Sequence, residues 1–517
     1  MSDATRFTSV DPRTGRVIGD HPVADEAAVG AAVSAARAVQ PAWEALGFRG
    51  RRLRLRAWRR LILARADDLI DLIRLETGKP ADDARLEVVL VTRHLAWAAD
   101  NAGRVLRRRR VAPGLLMPNQ AATLEYRALG VVGVIGPWNY PAFIPIGPVA
   151  AALAAGNTVV LKPSELTPRV GEWLSETLAE AVPGPRVLRV VTGLAGTGAL
   201  LCRSGVDKIS FTGSSATGRL VLAACAQTLT PAVIEGGGKD AMIVAPDADL
   251  PAAADAAVWA AMTNAGQTCV GLERVYVVDE VADEFLGLVV ERAAALRAGA
   301  GADADLGPIV LPRGLDVIAA QLRDALSRGG RAVLGGEHSL DPPYMHPAVL
   351  ADVPEESTLL TDETFGPVLV VNRVATTGEA IERANASRYG LGASVYSRRS
   401  GAAIGGRLRA GMVSVNAVIA FAGVPGLPFG GVGDSGFGRV HGPDGLREFA
   451  RSKATTRQLF RPPLRPTSFT RSPRTMRSLV RIVRLLSGPG ALPGRGTARP
   501  ALRRRTRRPS RNGERQP

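Results

Sequence analysis

The sequence predicts an α/β protein built around parallel sheets. Two observations carry that prediction. Short apolar runs rich in β-branched residues recur at Gly130-Val-Val-Gly-Val-Ile135, Asn157-Thr-Val-Val-Leu161, Ala241-Met-Ile-Val244, Arg274-Val-Tyr-Val-Val278 and Val368-Leu-Val-Val371. Strands buried on both faces read this way. Helical stretches, among them residues 250–261 and 281–297, alternate with these runs, the pattern of strands joined by crossover helices. The 517 residues are 46% hydrophobic and 22% charged. That is ordinary globular composition, and it excludes global disorder, a collagen-like fibre and a disulfide-scaffolded secreted domain.

Taken in order, residues 1–22 hold no apolar run, so no secretory leader is expected. The region through about residue 106 reads as helical and Arg-rich. Residues 49–60 carry seven Arg interleaved with Leu53, Leu55, Ala57 and Trp58, which predicts a solvated helix face with an apolar stripe. Arg107 to Arg110 followed by Pro113-Gly114 marks a break, and residues 115–128 are expected to form a hairpin. The longest uncharged run lies between Arg127 and Lys162. Pro137, Pro141, Pro145, Pro148 and Gly156-Asn157 interrupt it, so it reads as strand, loop, helix and strand rather than as the ~20-residue span a bilayer requires. The three cysteines, Cys202, Cys225 and Cys269, fit a reducing compartment and supply no metal-ligand set.

The net charge of +17 is not evenly spread. Residues 461–517 hold 16 Arg, no Lys and one acid, Glu514, for a net of +15, which leaves +2 for residues 1–460. The basic excess is therefore a property of the tail and not of a nucleic-acid-binding fold. Arg474, Arg477, Arg481 and Arg484 fall on one helical face, opposite Met476, Leu479, Val480, Val483 and Leu486. This predicts a short basic amphipathic helix, suited either to an anionic membrane surface or to docking its apolar face on the protein's own body or a neighbouring subunit. Residues 487–517 are expected to be disordered.

Four segments carry chemistry. In Asn264-Ala-Gly-Gln-Thr-Cys269 a cysteine follows a glycine-containing turn, which suits a nucleophile or, taken alone, buried packing. In Val233-Ile-Glu235-Gly-Gly-Gly-Lys239 an acid ends an apolar strand and three glycines permit close approach. That fits a partly desolvated general base or a loop cap. Ile209-Ser-Phe-Thr-Gly213-Ser-Ser-Ala-Thr-Gly218-Arg219 reads as strand, tight turn and helix, whose first amides favour a phosphate. Its Gly-x4-Gly spacing is not the usual dinucleotide fingerprint. Lys162-Pro-Ser-Glu165 places a cation and a carboxylate at a strand's end, suited to ribose hydroxyls or to a solvated ion pair.

In this order, and together with Pro137-Trp-Asn-Tyr-Pro141, Glu363-Thr-Phe-Gly-Pro367 and Pro428-Phe-Gly-Gly-Val-Gly-Asp-Ser-Gly-Phe-Gly-Arg439, these segments resemble the NAD(P)-dependent aldehyde dehydrogenase superfamily from about residue 8 to residue 460. The resemblance implies that Cys269 is the nucleophile, that Asn139 with the Cys269 amide forms the oxyanion hole, and that Glu235 activates the hydrolytic water. It implies a nicotinamide dinucleotide held by Lys162 and Glu165 at the adenosine ribose. Trp138, Gly213, Ser214 and Gly218 would lie along the pyrophosphate, the Gly236 carbonyl at the nicotinamide amide, and Glu363 and Phe365 at the nicotinamide ribose and ring. No metal is implied. The expected architecture is a Rossmann-like cofactor domain (residues 1–106 and 129–236), an α/β catalytic domain (237–448), a small oligomerisation arm (107–128 and 449–466) and the basic tail (467–517). A cytoplasmic homodimer or homotetramer is expected, with peripheral membrane contact through the tail and no nucleic-acid partner.

Two departures and two choices refine this. Gly236 stands where the family usually has Leu. The positions of a Lys and a Glu that serve some members as a proton relay hold Pro148 and Arg451, which concentrates the base role on Glu235. A base at 235 favours release of a free acid over acyl-CoA formation, and a carboxylate at 165 favours NAD, with NADP as the alternative. The substrate alternative is succinate semialdehyde, whose carboxylate would need a cation in the pocket. The alternative of another class is a non-catalytic membrane-surface or nucleic-acid-binding protein.

Overall fold

A computed structural model of the chain describes residues 5–114, 116–301, 303–462 and 467–487. Two parallel sheets dominate it. The first has six strands in the order Gly436–Phe437, Ala232–Glu235, Lys208–Thr212, Val131–Ile135, Thr158–Lys162, Leu188–Val190. Its five longer-range strands are parallel and the two-residue edge strand is antiparallel, with Gly436 opposite Glu235. In chain order the parallel strands lie 5-4-1-2-3. The direction of winding therefore reverses beside Val131–Ile135, which opens a crevice at the strands' carboxyl ends.

The second sheet has seven strands: Arg331–Leu334, Ala348–Ala351, Val368–Val374, Leu272–Val278, Asp240–Val244, Gly392–Tyr396 and Met412–Val415. All neighbours are parallel except the first pair. The β-branched runs became these strands because both faces are covered. Every residue of Thr158–Lys162, Asp240–Val244 and Leu272–Val278 is buried. Burial of a Val or Ile side chain contributes about 1.5–3 kcal/mol.

Helices cover the sheets much as their apolar patterns predict. Leu250–Met262 matches its expected span, and Asp279–Ala294 begins and ends slightly earlier than expected, with acids in its first turn. Phe143–Ala155 is the covering helix expected inside the long uncharged run. It is apolar on almost every face and is stopped by Gly156 at φ +107°. The Arg-rich segment is the helix Gly47–Ala64. Leu55, Trp58 and Ile62 form its buried stripe, while Arg52 and Arg56 bind Asp100 at the surface. Arg51 alone of its arginines is buried, donating to the carbonyls of Ala154 and Glu44.

Two expectations are corrected. The N-terminal region opens with an antiparallel hairpin, Arg6–Val10 with Val17–Pro22, and becomes helical only at Glu26. The Asp11-Pro-Arg-Thr-Gly15 turn joins its strands, with Gly15 at φ +70°. The hairpin expected over 115–128 uses other strands. Gln120–Ala128 is one strand, and its neighbours are Arg109–Val111 and Ala450–Gln458 in a three-stranded sheet. The shift has a physical cause: Arg109-Arg-Val111 is exposed throughout, so no apolar alternation marks it as a strand.

The chain divides into two compact units, residues 1–109 with 123–454, and residues 110–122 with 455–517. The second contains the helix Pro473–Ser487, on which the four tail arginines share one face. The disorder expected for 487–517 concerns residues that, after Ser487, lie outside the described residues. No helix among the described residues is long and apolar enough to cross a membrane.

Candidate active site

The groups singled out from the sequence meet at the carboxyl ends of the first sheet's strands and the facing loops of the second. Val131–Ile135 runs into Trp138 and Asn139. Thr158–Lys162 ends at Lys162. Lys208–Thr212 runs into Gly213 and Ser214, and Ala232–Glu235 ends at Glu235. The adjacent Glu235–Gly238 segment packs tightly against the second sheet's loops. A Cβ on Gly237 would fall 2.2 Å from the Glu363 carboxylate, and one on Gly238 would fall 2.5 Å from the Cys269 carbonyl oxygen. The Gly238 amide donates to Glu363 Oε1 at 3.2 Å. These glycines are therefore needed for close approach.

Cys269 follows a strained turn. Asn264 and Ala265 hold φ near +54° and +53°, and Gly266 approaches Gly366 so closely that any side chain there would collide with its backbone. The side chain of Gln267 knits this turn in place, donating to the carbonyls of Asn264 and Pro308 and accepting from the Val310 amide. Burial pushes the Cys269 thiol well above its ordinary range, and the carboxyls of Glu235, Glu363 and Asp240 push it further. Both effects oppose ionisation of this sulfur in the free protein.

Glu235 lines the same cavity as Cys269. Burial pushes its carboxyl up to about 7, partly offset by the Thr212 hydroxyl, which donates to Oε2 at 3.2 Å. A base of that strength is well matched to proton transfer near neutrality. Asn139 is buried, and its Nδ2 donates to the Gln267 carbonyl at 3.0 Å, which holds the amide over the cysteine loop. Its own carbonyl accepts from Lys79 Nζ at 2.7 Å and from Asn264 Nδ2 at 3.1 Å.

Trp138 and Phe365 meet edge to face with ring centroids 5.6 Å apart. Phe365 sits at φ +56°, fixed by the buried Glu273 carboxylate, which accepts from the amides of Thr364 and Phe365. Burial pushes Glu363 up to about 8. Lys162 Nζ lies 3.5 Å from Glu165 Oε2. The lysine is buried and its amine is pushed down by desolvation, whereas Glu165 is half-exposed. Ser214 caps the helix Ser215–Ala226 by accepting from the Thr217 amide. Gly218 lies in the first turn of that helix, where a Cβ would press on Ile234 and Phe211.

Gly236 has a local reason. Its amide donates to the Ser435 carbonyl at 3.0 Å, and a Cβ there would lie 2.7 Å from the Asp434 carbonyl oxygen. The edge segment Gly433–Phe437 thus occupies the space a leucine would need. Pro148 is buried within Phe143–Ala155 and Arg451 is exposed on Ala450–Gln458.

Several contributors escaped the sequence reading. Tyr140 binds Thr268 Oγ1 at 2.9 Å. Lys79 forms a buried ion pair with Glu87 at 2.9 Å, and Glu87 also accepts from the Ala142 and Phe143 amides. Lys239 pairs with Glu273 and donates to Thr364 Oγ1. The one hint in the sequence is position: Tyr140 and Lys239 flank quoted motif residues. Glu87 and Glu273 lie in unremarkable helical and strand contexts.

A doubly wound sheet with a cation–carboxylate pair at one strand end, and a thiol and buried carboxyl sharing a cavity at another, is an arrangement suited to dinucleotide-linked oxidation. The chain belongs to the aldehyde dehydrogenase family, whose pattern matches residues 1–455, and it is an oxidoreductase acting on the aldehyde group. It is 37% identical over 450 residues to a 4,4'-diapolycopene aldehyde oxidase from Methylomonas sp, covering 86% of this chain and 84% of the relative. It is 37% identical over 484 residues to a Mycolicibacterium smegmatis protein named "Putative succinate-semialdehyde dehydrogenase [NADP(+)]", covering 92% and 93%. The crystal structure of an NAD-dependent aldehyde dehydrogenase from Sinorhizobium meliloti superposes with a TM-score of 0.84 at 32% identity, covering 88% of this chain and 92% of that one.

Proposed function

We propose that the chain oxidises an aldehyde to a free carboxylic acid with NAD, through a thioester on Cys269. The observation that carries this is the shared cavity of Cys269 and Glu235, with the Asn139 amide pinned over the cysteine loop. As its thiol proton is released to water, Cys269 Sγ adds to the carbonyl carbon, and the oxygen's developing charge is received by Asn139 Nδ2 and the Cys269 amide. Loss of hydride from that carbon restores the carbonyl as a thioester. Glu235 then takes a proton from water, the water oxygen attacks the thioester, and the sulfur departs as the acid forms. When bound, the dinucleotide supplies the hydride acceptor.

The donor set fits such a group. Lys162 and Glu165 offer a cation and an acceptor for ribose hydroxyls, and the capped helix behind Ser214 offers amides to a phosphate. Trp138, Gly213 and Gly218 would border the phosphates, and the Gly236 carbonyl, Glu363 and Phe365 would hold the nicotinamide and its ribose. With Pro148 and Arg451 at the relay positions, Glu235 acts without the relay pair. The Glu165 carboxylate repels a 2′-phosphate, so kcat/KM is expected to be higher with NAD than with NADP for the same aldehyde. A higher value with NADP would overturn the cofactor assignment, and no reduced dinucleotide from any aldehyde would overturn the reaction.

The proposal extends to assembly and location in the cytoplasm. The three-stranded sheet leaves the outer edges of Arg109–Val111 and Ala450–Gln458 available to a second copy, which supports a homo-oligomer. The 16 Arg of residues 461–517 and the one-sided arginines of Pro473–Ser487 complement an anionic bilayer surface. Deleting residues 467–517 is expected to abolish co-sedimentation with vesicles rich in phosphatidylglycerol, while neutral vesicles bind neither form. Unchanged sedimentation of the truncated chain would overturn membrane docking.

A further inference from the structure

We infer that this site takes a long, uncharged, apolar aldehyde and discriminates against one that carries a carboxylate; this rests on the aldehyde chemistry proposed above. Cys269 and Glu235 line one cavity that is open to solvent. Leu86 and Trp259, 43% and 44% exposed, flank its outer end, and Phe143, Val270 and Phe429, each under 8% exposed, wall its interior. An alkyl or polyene chain passing from the mouth to the sulfur would meet mostly hydrocarbon along its length.

The charges exclude the opposite class. Among the described residues, no Lys or Arg lines the cavity. Its two carboxyl groups are Asp83, which accepts from the Asn264 amide and the Thr263 hydroxyl, and Glu235. Lys79 is turned to other partners: its ammonium lies over the Tyr140 ring, bonded to Glu87 and to the Asn139 carbonyl. His441 also lines the cavity, and burial together with His94 holds its imidazole neutral. A substrate carboxylate would therefore enter without a counter-ion and beside other carboxylates, the costly way to bury a charge.

Each methylene transferred from water to such a lining improves binding about threefold to fourfold. The test uses the purified full-length chain with NAD and compares kcat/KM for butanal, hexanal, octanal and succinate semialdehyde. The expected result is a rise of about threefold per methylene, which places succinate semialdehyde at least about 100-fold below octanal. The same series is run on Trp259→Arg, which puts a cation at the exposed mouth. There the octanal-to-succinate-semialdehyde ratio should fall by about tenfold or more. A flat chain-length series, or succinate semialdehyde matching octanal, overturns the inference while leaving aldehyde oxidation intact. An unchanged ratio in Trp259→Arg overturns it as well. No turnover of any aldehyde removes the parent reading, and the inference falls with it.

Discussion

Cys269→Ala is expected to abolish aldehyde-dependent NADH formation, with a loss of about 10,000-fold or more in kcat, while the folded protein and its dinucleotide binding persist. Losses of this order follow when a covalent nucleophile is removed and only positioning remains. The substitution removes one sulfur from a half-buried position and asks little of the surrounding turn. Gln267 holds that turn through the Asn264, Pro308 and Val310 backbones, none of which involves the thiol. Thermal unfolding should therefore move by no more than a few degrees, and tryptophan fluorescence should still respond to NAD. Full activity in the alanine variant would remove Cys269 from the reaction. Lost activity together with lost dinucleotide binding would assign it a structural role instead.

Glu235→Gln is expected to separate the two halves of the reaction. Hydride loss needs no base at 235 once the sulfur has added, so rapid mixing should show a burst of one NADH per active site. Steady turnover should then be about 100- to 10,000-fold slower, the usual contribution of a positioned general base. Mass spectrometry of the quenched variant should find the acyl group on the tryptic peptide that contains Cys269. The pH dependence gives an independent signature. Burial raises the Glu235 carboxyl to about 7, and the ionised form is the base. In the unsubstituted protein kcat should therefore fall as pH drops through about 7 and level off above it. In the Gln variant that limb should vanish. A Gln variant with no burst would move the base role upstream of hydride loss, to activation of a thiol whose ionisation burial and neighbouring carboxyls oppose.

Cys269 and Glu235 stood out in the sequence through the glycine-containing turns beside them, and Asn139 only through the family resemblance; the fold brings Cys269 and Glu235 to one cavity and Asn139 to the cysteine loop. The strands were legible for a different reason. Thr158–Lys162 and Leu272–Val278 are buried on both faces, so their apolar runs are continuous and hard to mistake. The N-terminal hairpin escaped because Arg6–Val10 and Val17–Pro22 are mostly exposed or partly exposed and carry no core pattern. The cavity escaped because Leu86, Trp259, Ile419 and Phe429 come from distant parts of the chain, and an apolar residue facing a substrate has the same sequence signature as one facing the core. The buried partners Lys79 with Glu87 and Lys239 with Glu273 were invisible for a related reason. Each pair links segments separated by intervening chain, and only the fold makes a neutral unit of two charges.

The edge strand Gly436–Phe437, paired with Ile234 and Glu235, bears on how the enzyme is made. Glu235 and Cys269 are both synthesised by residue 269, yet the strand that borders Glu235 is supplied almost 170 residues later, next to the Ser435 carbonyl that receives the Gly236 amide and the Asp434 carbonyl that leaves no room for a side chain there. Pairing across so long an interval is slow and comes late. A nascent chain therefore carries its reactive groups for much of translation without the wall that sets their environment, and reactive capacity arrives only when the far end of the body has docked. Chains interrupted before residue 437 would hold the sulfur and the carboxyl but not the surroundings that tune them.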